Sequence, residues 1–176
     1  MRRVTILFLF FTLVLGMTNI LHATTLGYTT TNLGENRWEY IYSVSNDTLS
    51  SPIEEFTIYF DYGLYDNLSV DTLKLGWDPV VVNPDLILGV PEPGFYDALA
   101  LVSGIAPGVT ESGFQVSFDW LAVGIPGIQF FEVVNPSSFT ALDSGNTVPV
   151  PEPGTLILLG SGLVSFLTIR KVRAKK

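Results

Sequence analysis

One histidine, no cysteine and 17 carboxylates bound the chemistry open to this chain of 176 residues. The histidine, His22, falls in an N-terminal leader that the mature chain is expected to lose. Without it no Ser–His or Cys–His nucleophile can be assembled. Histidine and thiolate metal centres are excluded too, and there is no Gly-rich loop to cradle phosphate. Carboxylates remain. Pairs of them hydrolyse glycosides, but Glu54 and Glu55 are adjacent, and neighbours in a strand point to opposite faces. Asp61, Asp66 and Asp71, in the stretch DYGLYDNLSVD, are candidate calcium ligands, because calcium takes carboxylate and carbonyl oxygens. Their spacing departs from the EF-hand loop, and aspartate is also an ordinary cap of turns. With no ligand cluster of recognised spacing, the expectation is a non-enzymatic chain without a cofactor. Asn46-Asp47-Thr48 and Asn67-Leu68-Ser69 fit the glycosylation sequon.

Aromatic residues offer a second kind of chemistry, the stacking of sugar rings. Trp38, Tyr40, Tyr42, Trp77 and Trp120 could form such a face or could fill a core. Alternation with polar neighbours assigns Trp38 and Trp120 to the core. Trp77, in the turn-like GWDP, is the candidate for an exposed sugar contact.

Two segments that position the rest lie at the ends of the sequence. MRR, then an apolar run from Val4 to Met17, then TNILHA, has the anatomy of a secretory signal peptide over residues 1–23, cut near Ala23. An uncleaved anchor is the alternative, although the run falls short of the roughly 20 residues a span prefers. Pro153 to Ile169 carries no charge and is followed by Arg170, Lys171, Arg173, Lys175 and Lys176. A helix of that length covers roughly 25 Å, and snorkelling basic side chains can make up the difference from a core of about 30 Å. The basic cluster stays cytoplasmic by the positive-inside rule. The expected layout is a leader (1–23), an exported domain (24–147), a linker (148–154), a transmembrane helix (155–169) and a basic tail (170–176).

The sequence VPEPG occurs twice, at Val90–Gly94 and at Val150–Gly154. Only the second copy is followed by the apolar run and the basic cluster. The composite VPEPGTLILLGSGLVSFLTIRKVRAKK resembles a PEP-CTERM sorting signal, with Pro151, Glu152, Pro153 and Gly154 in the motif, Thr155 to Ile169 as helix, and Arg170 to Lys176 as the basic end. The resemblance implies a Gram-negative bacterium that makes exopolysaccharide, and processing by an exosortase, a membrane-embedded transpeptidase-like enzyme. It implies transient anchoring in the inner membrane with the domain on the periplasmic side, then a cell-surface or extracellular destination. A surface or matrix protein associated with biofilm exopolysaccharide fits that route, and a displayed carbohydrate-binding module is the alternative. The first copy lacks both neighbours, and Asp97 would cost about 3 kcal/mol at a bilayer centre. It is expected as a loop between strands.

Between residues 24 and 147 the basic residues are Arg37 and Lys74, against 16 acidic ones, a balance of −14. Such a surface argues against nucleic-acid partners and anionic lipid. Without disulfides the domain must rely on its core, which is feasible at about 120 residues. Trp38, Tyr40, Tyr42 and Val44 alternate with Glu39, Ile41, Ser43 and Ser45, Phe114, Val116, Phe118 and Trp120 alternate with polar partners, and Phe56, Ile58 and Phe60 share one parity. Period-two runs of aromatic and β-branched residues predict strands. Further candidate strands are Leu26 to Thr31, Leu68 to Leu75, Val80 to Val82, Ala98 to Ser103, Ile128 to Val134 and Phe139 to Leu142, separated by turn clusters. The expected fold is all-β, an antiparallel two-sheet sandwich of immunoglobulin-like or jelly-roll topology.

Overall fold

The computed structural model describes residues 24–151. The expected leader, transmembrane helix and basic tail lie outside the described residues. Among those described there is no helix, and so none long and apolar enough to cross a membrane. The strands are β1 Thr25–Gly34, β2 Arg37–Ser45, β3 Glu55–Phe60, β4 Tyr65–Ser69, β5 Trp77–Val82 and β6 Asp85–Ile87. They continue with β7 Val90–Glu92, β8 Gly94–Ala100, β9 Thr110–Trp120, β10 Phe130–Asn135, β11 Thr140–Asn146 and β12 Val148–Pro149.

They form a first sheet in the order β12-β1-β2-β9-β4, a second in the order β11-β10-β3-β8-β5, and the separate hairpin β6-β7. These pairings are antiparallel except that of β1 with β12, which is parallel. Alternation decides what each sheet buries. Tyr40 and Tyr42 of β2 pair across with Val116 and Phe114 of β9, Trp38 lies opposite Phe118, and Val44 is buried beside them; the second sheet contributes Phe56, Ile58, Phe60, Tyr96, Phe131 and Val133. The two sets meet in one core. Phe56 of the second sheet lies edge-on to Phe114 of the first at 4.9 Å, and Phe60 meets Tyr65 at 5.0 Å. Edge-to-face pairs of this kind add about 0.5–1.5 kcal/mol each beyond buried area.

Several expectations need correction. GWDP is not a turn throughout: β5 begins at Trp77, which lies 5% exposed. The strand expected to run to Leu75 ends at Ser69, because Asp71 accepts the Ser69 and Ser117 hydroxyls and the chain turns away there. The first VPEPG copy is not a loop. It supplies β7, pairing Pro91 with Leu86, and then the first residue of β8. A two-stranded ribbon tolerates proline because alternate amides face outward. Of the residues expected as linker, Val148 and Pro149 are strand and Val150 is bonded to β1.

Candidate functional site

Thr147 is the root of the tail and is 1% exposed. Its amide donates to the Gln129 carbonyl at 2.8 Å, and its hydroxyl accepts from the Gln129 amide at 2.9 Å. The Gln129 side chain is held in turn. Its Nε2 donates to Tyr40 Oη at 2.8 Å, to Tyr65 Oη at 3.0 Å and to the Gly127 carbonyl, while Oε1 accepts from Tyr42 Oη at 3.1 Å. Burial drives all three phenols upward, so they remain neutral and able to donate. A buried network with every member paired fixes one geometry, and this one ties the last residue before β12 to the centre of the core.

Beyond Thr147 the chain runs parallel to β1, with Val148 opposite Gly27 and Pro149 opposite Tyr28. The Val150 amide donates to the Tyr28 carbonyl at 2.8 Å. Gly27 makes the approach possible. A Cβ there would lie 2.5 Å from Val150 Cγ2 and 2.8 Å from Ser43 Oγ, closer than real side chains come. Pro151 follows at once and is exposed. Glu152, Pro153, Gly154, Arg170, Lys171, Arg173, Lys175 and Lys176 lie outside the described residues.

The other candidate residues do not converge. Asp61 caps a turn through its carbonyl, which accepts from the Leu64 and Tyr65 amides. Asp66 accepts the Asn67 amide at 2.8 Å. Asp71 accepts the Ser117 hydroxyl at 2.6 Å and that of Ser69 at 3.1 Å, and these bonds hold its carboxyl below the usual range. Among the described residues no group of three or more His, Cys, Asp or Glu is placed to hold a metal ion. Trp77 is withdrawn from any sugar contact. Its ring packs against Phe56 and Phe114, with centroids at 5.8 and 5.0 Å, and its indole N–H reaches Glu111 at 3.3 Å. Trp38 and Trp120 pack partly buried against the core, as expected. Asn46 of the first sequon is fully buried, its amide donating to the Ser51 and Ile105 carbonyls, so it presents no acceptor nitrogen.

Two outward sheet faces carry polar arrays that the sequence reading missed. On the first sheet Arg37 donates to the Asn67 carbonyl at 2.7 Å and to Ser69 Oγ at 2.5 Å, and pairs with Asp119 at 3.3 Å. The domain's other cation, Lys74, pairs with Glu111 at 3.4 Å. On the second sheet Thr57 donates to Asp97 at 2.7 Å, and Tyr59 donates to Glu132 at 2.8 Å while stacking on Phe130 at 5.8 Å. Burial raises the Asp97 carboxyl, and burial together with the Asp97 charge raises that of Glu55. Burial, then the bond to Glu132, pushes the Tyr59 phenol up to about 12. The signal for these sites was in the alternation, since Thr57, Tyr59, Phe130 and Glu132 have the outward parity of their strands.

The geometry defines a class of protein, an all-β domain whose C-terminal strand leads without a spacer into a tail. The tail has a specific counterpart: residues 149–173 match the PEP-CTERM protein-sorting motif. The chain therefore carries that motif, which implies an exported, membrane-transiting protein with an exosortase-type processing partner. No curated protein matches the sequence. Among solved structures, the solution structure of the chitin-binding domain of Chi18aC from Streptomyces coelicolor aligns at 17% identity and a TM-score of 0.40, over 62% of this chain and 90% of that one.

Proposed function

We propose that the chain is a non-enzymatic surface or extracellular-matrix protein. Its β domain is carried across the inner membrane, held there briefly by the tail, and then released or re-attached among exopolysaccharide after processing at Pro151-Glu152-Pro153. The carrying observation is continuity: Pro149, the second residue of the docked strand β12, is the first residue of the matched motif, so the folded domain is delivered directly to the processing step. Copy one, Pro91-Glu92-Pro93, sits in a folded hairpin and is ignored. The topology suits the jelly-roll alternative better than the immunoglobulin one. Strands β2 to β5 alternate between the sheets, and β8 and β9 return as the middle strands between them.

The test is an immunoblot of cell fractions from a host with a matching exosortase. Glu152→Ala should leave an unprocessed membrane-bound chain, and Glu92→Ala should mature normally. Blocked maturation in Glu92→Ala with normal maturation in Glu152→Ala would reverse the assignment.

A second reading, a displayed carbohydrate-binding module, draws on the outer face of the second sheet. There Phe130, 45% exposed, stacks on Tyr59 beside the Glu132 carboxylate. Aromatic edges with neighbouring hydrogen-bond acceptors suit a neutral or amine-bearing saccharide, which the acidic surface would not repel. Binding on a glycan array that Phe130→Ala abolishes would favour it over the first.

A further inference from the structure

The direction of β12 decides which end of the domain approaches the membrane. Because β12 is parallel to β1, the chain at Pro151 is heading toward the Gly34 end of the sandwich. That end also collects three other connections. The Trp120 amide donates to the Asn36 carbonyl and the Leu121 amide to the Leu64 carbonyl, which places the β3–β4 and β9–β10 loops beside the β1–β2 turn. Strands β5 and β8 pair at Val82 and Phe95, so the β6-β7 hairpin between them projects from the same end. Thr24, the first of the described residues, is bonded to Thr48 and Asp143 toward the opposite end.

Reach then matters. Val150 is level with Tyr28, six residues short of Gly34, or about 20 Å of strand. From Val150 to Thr155, where the apolar run begins, there are five residues, at most about 18 Å when fully extended. With a span starting at Thr155, lipid begins no farther from Val150 than the level of the β1–β2 turn, so a domain upright on its tail brings the loops of that end against it. Those loops are built for it. The β9–β10 connection LAVGIPGI has no charge, and its Val123 is fully exposed and Ile125 largely so. The hairpin tip places Leu88 99% exposed at φ 53, ahead of Gly89 at φ 81. Both turn positions have positive φ, where asparagine or glycine costs less than leucine, so folding gives no reason for a leucine there.

We propose that this end of the sandwich rests on the lipid bilayer while the tail is in place, with the Val123 loop and the Leu88 tip in the headgroup region. The inference rests on the reading of residues 155–169 as a membrane span. The occupant is a zwitterionic bilayer surface, because Glu35, Asp61, Asp85 and Glu92 on the same end would be repelled by anionic lipid. Docking keeps the motif and the enzyme's membrane plane at a fixed separation.

The chain contains no cysteine, so single cysteines can be labelled without background. The full chain is reconstituted in phosphatidylcholine vesicles with an environment-sensitive fluorophore at Val123→Cys, Leu88→Cys, or, at the far end, Val102→Cys or Leu75→Cys. Bromolipid should quench the first two at least about twofold more than the last two. Equal quenching, or stronger quenching at Val102 and Leu75, overturns the docking. So does quenching that requires added processing enzyme, which would make the surface a protein contact. Alkaline carbonate extraction of the same vesicles separates the premises. A chain that stays embedded without selective quenching sinks the docking alone, and a chain that is extracted sinks the span and the docking with it.

Discussion

Gln129 shows what a single residue can decide in this domain. Its side-chain amide holds three phenols and a loop carbonyl, and its backbone holds Thr147. Gln129→Leu would keep the volume, strand the Tyr42 hydroxyl in the core, and take one partner each from Tyr40, which keeps the Gly127 carbonyl, and Tyr65, which keeps the Tyr40 hydroxyl. The expected loss is about 2–4 kcal/mol, read from urea unfolding by tryptophan fluorescence. Nothing in the sequence marked Gln129, because a glutamine after a glycine-rich loop reads as solvent-facing. Trp77 failed in the opposite way: its GWDP setting reads as a turn, and only the pairing of β5 with β8 shows the ring turned inward. Asp97 carries a pH signature. Its carboxyl is raised in the folded chain above the ordinary value of 3.8, chiefly by burial. The folded state therefore holds that proton longer, and this residue's contribution to stability falls as pH rises from 3.8 through the folded value, then levels. Asp97→Asn removes the cost of the buried charge, while Thr57 keeps an oxygen to bond. The variant should melt higher than the parent at pH 7 and equally near pH 3.5. A lower melting temperature at pH 7 would mean the charge itself stabilises the sheet.

At the scale of elements, legibility followed the strength of alternation. β2, β3 and β9 could be read from sequence because each buries aromatic residues of one parity, and a one-residue slip would expose Tyr40, Tyr42, Phe56, Phe60, Phe114 and Phe118. β6, β7 and β12 could not, since every residue in them is exposed and they exist by pairing rather than by burial. β12 is the one among these that leads into the matched motif, and Gly27 is its seat. Gly27→Val should evict Val150 and unzip β12 while the Gln129–Thr147 anchor keeps the body folded. Limited proteolysis should then cut within residues 148–151 at least about tenfold faster than in the parent, with the remaining domain intact. An unchanged rate would show that β12 holds without its close approach to β1.

For the whole molecule, the sheet count and the shared core were legible, and the charge balance was fixed before any coordinates. What the structure adds is how that charge is arranged. Both cations of the domain are already paired, Arg37 with Asp119 and Lys74 with Glu111, which leaves the other carboxylates without an ion pair among the described residues. Added salt usually weakens surface ion pairs, each worth about 0–1 kcal/mol. Here it screens two attractions and a balance of −14 in repulsion, and the repulsion is the larger sum. The fold should therefore gain stability with sodium chloride at pH 7.5. Screening tightens from about 30 Å at 0.01 M to about 3 Å at 1 M, so most of the gain should arrive below roughly 0.2 M. Near pH 4, where many carboxylates are protonated, the same titration should do little. The measurement is the melting temperature of the full chain in non-ionic detergent across that salt range at both pH values. A melting temperature that falls with salt at pH 7.5 would assign the larger share of the electrostatics to the two ion pairs, against the balance of charges.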